Sequence, residues 1–156
     1  MKKMIKKYRK AKGFTLVELL IVIIIIGILA GMMMLSTGAA TDRAEATKIV
    51  SDLRSIKSAA LLYYLDNNNT WTTQIKSLDK YLDQDMSTRT DYAIGGTGTA
   101  AAPIYVSYTK TPALDAGVKA KLHDMAPNSG LYEQEACTGV YTSSPTVYMI
   151  VKKSDN

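Results

Sequence analysis

Hydrophobic and polar positions divide the chain into stretches of different period. Residues 1–13 are polar and basic, and Leu19 to Leu35 then forms an unbroken run of seventeen residues with no charge and nothing more polar than Met or Gly. Counted from Phe14, the segment reaches 22 residues, about 33 Å of helix at a rise of ~1.5 Å per residue, enough to cross a bilayer core of ~30 Å. Beyond Thr41 the pattern changes. Ile49, Leu53, Ile56, Ala60 and Tyr63 recur every three or four positions, which predicts that the helix continues to about Leu65 as an amphipathic one. The polar run Asp66-Asn67-Asn68-Asn69 ends it.

The remaining residues predict a small globule. Gln74–Met86, with Ile75, Leu78 and Leu82, reads as a short helix, and Asp91–Pro103, with its glycines at 95, 96 and 98, reads as a loop. That glycine cluster lacks the Lys-Ser/Thr of a phosphate-binding loop. Ile104–Lys110 alternates and is rich in β-formers, so it predicts a strand. Thr111 as N-cap and Pro112 at the first helical position predict a helix carrying Leu114, Val118, Leu122 and Met125 on one face, stopped at Pro127–Gly130. Val140–Thr142 and Thr146–Lys153 predict two further strands joined as a hairpin. The fold class is therefore α+β: a long N-terminal helix, membrane-spanning in its first half and amphipathic in its second, packed on a small antiparallel sheet. Its divisions are 1–13, a basic leader; 14–35, the membrane helix; 36–65, the amphipathic continuation; and 66–156, the globular head.

Charge fixes the orientation. Seven of the 19 cations (Lys2, Lys3, Lys6, Lys7, Arg9, Lys10 and Lys12) precede Gly13, where there is no acid, and the rest of the chain is slightly acidic. The net charge of +5 thus belongs to one short segment and supports no nucleic-acid site. Asp42, Arg43, Glu45 and Lys48 balance on the far side of the apolar run, so the positive-inside rule places the leader in the cytoplasm. The eleven Leu, Ile and Val of Leu19–Leu35 favour insertion by about 3–7 kcal/mol, more than the ~3 kcal/mol cost of one charge in the membrane. A secretory signal peptide cut within Ser36–Ala40 is the alternative, but its apolar region would exceed the usual ~7–15 residues and Glu18 would be unexplained.

An acid at this depth calls for a partner, and no cation lies within one turn of Glu18 inside the run. Lys12-Gly13-Phe14-Thr15-Leu16-Val17-Glu18-Leu19-Leu20 resembles the processing site of type IV pilins and pseudopilins. The resemblance implies cleavage by a prepilin peptidase between Gly13 and Phe14, and N-methylation of the new Phe14 amine. Such an amine, with a reference pKa of about 7.7–8.0, is charged and stays so when methylated. Glu18 then accepts the Phe14 amine of a neighbouring subunit and sets axial register in a filament. Glu18 can also compensate its own helix N-terminus, worth about 0.3–1 kcal/mol, and the two roles are compatible. Gly27 and Gly31 form a small-xxx-small pair suited to close helix packing. Many pilins have a proline where this chain has Leu35; here the candidate weak points of the helix are Gly27, Gly31 and Gly38.

The same resemblance implies a structural subunit of a type IV pilus, supporting adhesion, motility or DNA uptake, or alternatively a pseudopilin of a type II secretion or competence apparatus. Its partners are copies of itself in a helical filament, the prepilin peptidase, the membrane and the pilus assembly machinery. It begins as a prepilin in the cytoplasmic membrane and ends in an extracellular pilus. No nucleophile and base pair, metal-ligand spacing or phosphate loop is visible, so no enzyme activity, catalytic residue, metal or cofactor is expected. Many pilins close their carboxy-terminal loop with a disulfide, which the single Cys137 cannot form within the chain; Cys137 reads as a small buried hydrophobe. Around Glu133 and Glu135 there is no dense acidic loop of the EF-hand kind. His123 reads as a solvated side chain, and Tyr63, Tyr105, Tyr108 and Tyr148 as packing residues.

Overall fold

The computed structural model describes residues 13–86, 88–97 and 102–153, so residues 1–12 of the basic leader and Gly98 lie outside the described residues. Helix α1 runs from Leu16 to Asp66. The chain forms two compact units, one ending at Gly38 and one beginning at Ala39. In the first, the residues from Phe14 to Met33 are all exposed, large aliphatic ones included.

The second unit contains the rest of α1, a 3₁₀ turn at Ile75–Tyr81, β1 (Tyr92–Gly95), β2 (Ile104–Thr109), α2 (Ala116–Ser129), β3 (Leu131–Tyr132) and β4 (Thr146–Lys152). All strand pairs are antiparallel, in the order β1-β2-β4-β3. The stripe predicted on α1 is the spine of the core: Ala46, Ile49, Val50, Leu53, Ile56, Ala59 and Ala60 are buried. Strand alternation supplies the facing layer, with Ile94, Ile104, Val106, Tyr108, Val147, Met149 and Val151 buried. Val118, Leu122 and Ala126 contribute one face of α2. Each element thus hides one side, the condition for an α+β packing.

Polar contacts fasten α1 to this layer at its edges. Asp52 Oδ2 accepts from Arg89 at 3.0 Å and from the Tyr92 hydroxyl at 2.7 Å, and burial pushes the Tyr92 phenol well above its ordinary range. Lys110 donates to Glu45 at 2.6 Å. Near the start of α2, a side chain at Gly117 would fall on the Asp42 carboxylate, the movable end of a side chain, which would have to turn aside. The carboxylate there lies by the positive end of the α2 dipole.

Several boundaries differ from those the sequence predicts. The Asp91–Pro103 stretch contains β1, whose Tyr92 and Ile94 are buried and which pairs with β2. The helix expected from Thr111 starts at Ala116, because Asp115 is still extended (φ −60°, ψ 147°); Leu114 is buried, but it anchors the connection ahead of the helix. The other end of α2 agrees with the sequence, since the helix stops within Pro127–Gly130, at Ser129. Pro127 sits inside the last turn, where its missing N–H forgoes the bond to the His123 carbonyl, and the helix ends where Gly130 takes the left-handed conformation (φ 64°) and donates to Ala126 O. Gln74–Met86 holds a 3₁₀ turn, after which Leu82 is extended. Val140–Thr142 forms only a bridge to Tyr132, and β4 pairs with β2 and β3 in place of the expected hairpin.

Cys137 is buried, its thiol donating to Glu135 O at 3.6 Å, and burial pushes the thiol up to about 11. His123 is exposed, Tyr108 is buried, and Tyr63, Tyr105 and Tyr148 are half-buried.

Two outcomes follow for the full chain in detergent. Gly117→Val displaces the Asp42 carboxylate and costs less than about 1 kcal/mol, read as a small drop in melting temperature that combining it with Asp42→Ala removes. For Cys137, the folded thiol holds its proton more tightly than an unfolded one of ordinary pKa about 8.5. Its stabilising contribution is therefore complete below that value and lost as the pH climbs towards 11. Alkylation by iodoacetamide at pH 8.5 should be more than about tenfold slower in the folded protein than in denaturant, because the thiolate is the reacting species.

Candidate assembly site

The residues that the sequence singles out lie at the start of α1 and along its exposed first unit. Phe14, 84% exposed, precedes the first turn, and Gly13 is the first described residue. Glu18 folds back over the helix start: its Oε2 accepts the Thr15 amide at 2.8 Å and the Thr15 hydroxyl at 2.9 Å. The Glu18 amide in turn donates to Thr15 Oγ1 at 3.2 Å. This reciprocal arrangement is a capping box, in which a Thr and a Glu three residues on satisfy amides that have no partner within the helix. Thr15 was missed as a functional residue, although the Thr-x-x-Glu spacing ahead of an apolar run is its signal.

The cap leaves part of Glu18 unused. Both donors use Oε2, and Oε1 accepts no hydrogen bond among the described residues. The same side chain can therefore close its own helix and receive a further donor. The structure does not bring Glu18 to a cation among the described residues.

Gly27 and Gly31 lie one turn apart on α1, and a side-chain carbon at either would meet nothing within 4 Å. Around them the surface is apolar on every side: Ile21, Ile24 and Ile25 are about half exposed, and Met32 and Met33 more so. Among the described residues this is the one helix long and apolar enough to cross a membrane. Chemically the site offers a capped helix end with one free carboxylate oxygen, two glycine notches and a continuous greasy surface. No group of three or more His, Cys, Asp or Glu among the described residues is placed to hold a metal ion.

A family model for the prokaryotic N-terminal methylation motif matches residues 8–34. The chain is similar to type II secretion system core protein G of Klebsiella michiganensis, 41% identical over 63 residues, covering 40% of this chain and 44% of that protein. It is also similar to the type IV wide pilus major component PilA4 of Thermus thermophilus, 44% identical over 66 residues, covering 42% of this chain and 50% of that protein. The matches thus span about half the length of these relatives. Among solved structures, the major type IV pilin PilA1 from Clostridium difficile superposes with a TM-score of 0.51 at 19% identity, covering 73% of this chain and 98% of that one; at that identity the likeness concerns the fold. The chain thus carries the prokaryotic N-terminal methylation motif at its amino end and, behind it, a fold similar to that of a type IV pilin.

Proposed function

We propose that the chain is a structural subunit of a type IV pilus, held in the membrane by residues 14–35 until the leader is removed and the subunit joins a filament. One observation carries this reading. An apolar helix surface, exposed from Phe14 to Met33, opens on a capped carboxylate and is covered by no described residue of its own chain. Lipid covers it before assembly, and sister helices cover it afterwards.

Cleavage between Gly13 and Phe14, followed by methylation of Phe14, places a permanent cation at the new chain end. The Phe14 ammonium of one subunit meets Glu18 of the next, where Oε1 is available while Oε2 keeps the Thr15 cap. A charge pair in an apolar surrounding is strong when complete and costly when one member is missing, so it favours one axial register over its neighbours. Gly27 and Gly31 allow the close backbone approach that association between equally greasy surfaces requires. Residues 36–65 carry the head of residues 66–156. The mature protein then lies on the cell surface, where adhesion, motility or DNA uptake is its use.

A second reading, a pseudopilin in a secretion apparatus, is favoured by the relatives named type II secretion system core protein G. Long surface fibres seen by electron microscopy decide for the pilus. Their absence together with a secretion defect in a deletion strain decides for the pseudopilus.

In cells making the Glu18→Ala variant, membrane insertion should match the parent while the yield of sheared filaments falls at least about tenfold; equal yields would sink the pairing of Glu18 with Phe14. The intact mass of the mature protein should correspond to a chain beginning at methylated Phe14. A start near Ala40 or Thr41 would instead show secretion.

A further inference from the structure

Helix α1 ends in a turn that is tied at both flanks and free in its middle. Before it, Asp66 accepts the Tyr81 hydroxyl at 2.8 Å, and Asn67 donates its side-chain amide to Tyr63 O at 2.8 Å. Across its base, Tyr64 and Trp71 stack with ring centroids 4.2 Å apart and planes at 22°. Between these ties, Asn68, Asn69 and Thr70 are exposed, and Asn68 and Asn69 are both left-handed (φ 50° and 58°). Asparagine takes this conformation more readily than most residues. Two backbone hydrogen bonds hold the excursion, Asn69 N–H to Tyr64 O and Thr70 N–H to Asn67 O. Neither the Asn68 carboxamide nor the Thr70 hydroxyl is hydrogen-bonded to any described residue.

Asn68-Asn69-Thr70 has the asparagine, non-proline, threonine spacing of an N-glycosylation acceptor, and it is the one such triplet in the chain. The neighbouring asparagines are poor substitutes: Asn67 has Asn69 at the required hydroxyl position and Asn69 has Trp71, while the Asn67 amide is already engaged. We propose that Asn68 is an acceptor for N-linked glycan, transferred from a lipid-linked oligosaccharide diphosphate by a membrane-bound transferase. The proposal rests on the topology given above, which puts residues beyond Leu35 on the face of the membrane away from the cytoplasm.

In the transfer, Asn68 Nδ2 forms a bond to the anomeric carbon of the first sugar. The bond from that carbon to the diphosphate oxygen breaks, and the lipid diphosphate leaves with the electron pair. The amide nitrogen gives one proton to a carboxylate of the transferase, so no oxidant or reductant is needed. A carboxamide is a weak nucleophile, and the hydroxyl two residues on is the handle by which a transferase seats the acceptor. Here both groups face solvent in a segment that opens by losing two hydrogen bonds, while the stacked rings and the Asp66–Tyr81 contact keep the core closed behind it. The Asp66 carboxylate, two residues before the acceptor, is exposed on one side while it holds Tyr81 and, at 4.0 Å, Lys80.

Protein purified from its native cells and digested with trypsin tests this. The peptide Ser58–Lys76 contains no internal Lys or Arg and should carry a glycan mass fragmenting to Asn68. The added mass should vanish in Asn68→Gln and in Thr70→Ala and persist in Thr70→Ser, all exposed positions where folding is retained. An unmodified Ser58–Lys76 peptide, or a modification that survives Asn68→Gln, overturns the proposal. The amino-terminal peptide from the same digest is read separately: methylated Phe14 with an unmodified Asn68 means that the processing holds and the glycan does not.

Discussion

An apolar helix surface that no described residue of its own chain covers is the constraint on which the rest of this molecule depends. Within Phe14–Met33 each described residue is exposed, and burying one large aliphatic side chain is worth about 1.5–3 kcal/mol. So large an exposed apolar surface is unfavourable in water. The fold solves only half of the burial problem of α1. From Ala46 to Ala60 the helix narrows its apolar residues to one stripe and the sheet covers them, whereas from Phe14 onward the apolar residues surround the helix. One element thus serves as the spine of a globule and as an unsatisfied surface, and the change from stripe to cylinder marks where one task gives way to the other.

The globule is fastened to its spine at points away from the greasy centre. Asp52 gathers Arg89 and Tyr92, Glu45 takes Lys110, and Asp42 abuts α2 at Gly117. All three acids lie on α1 and all their partners lie later in the chain, in or beside β1, β2 and α2. The half-buried Asp52 group is more than a surface pair, since Tyr92 is buried and its hydroxyl has the carboxylate as acceptor; removing Asp52 would leave that hydroxyl without one. The apolar stripe supplies the affinity of helix for sheet, and these contacts fix how far along and around the helix the sheet sits.

Legibility in the sequence followed the length of the pattern. The membrane run, the stripe from Ile49 to Ala60, β2 and β4 all repeat often enough to be read directly. β1 has four residues and ends in glycine, and β3 has two, so periodicity had too few positions to act on. The start of α2 was misplaced because Thr111-Pro112 is a sound local signal that tertiary packing overrode, Leu114 being used to pin the connection. At the assembly site Glu18 stood out by its cost in an apolar run, while Thr15 was overlooked although its spacing from Glu18 is a local signature. The Asp52, Arg89 and Tyr92 group could not be read, since 37 and 40 residues separate its members from Asp52.

Moving α1 from lipid into a bundle of sister helices exchanges one apolar surrounding for another, so the hydrophobic effect that drives insertion contributes little to assembly. Preference for the filament must come from contacts that lipid cannot make. In the assembly proposed here Gly27 and Gly31 provide one, because a notch with nothing within 4 Å can admit a neighbouring backbone more fully than a disordered acyl chain. In the assembly proposed here, Glu18 provides the other. Two opposite charges about 4 Å apart gain about 4 kcal/mol at an effective dielectric constant of ~20, whereas a register shift by one helical turn, about 5.4 Å, separates them and leaves both in an apolar medium. Packing alone tolerates many registers along so uniform a run of Ile and Leu. In that proposal the carboxylate is what makes one register different from the rest, and the Thr15 cap holds it in place without using up the oxygen that an incoming amine would take.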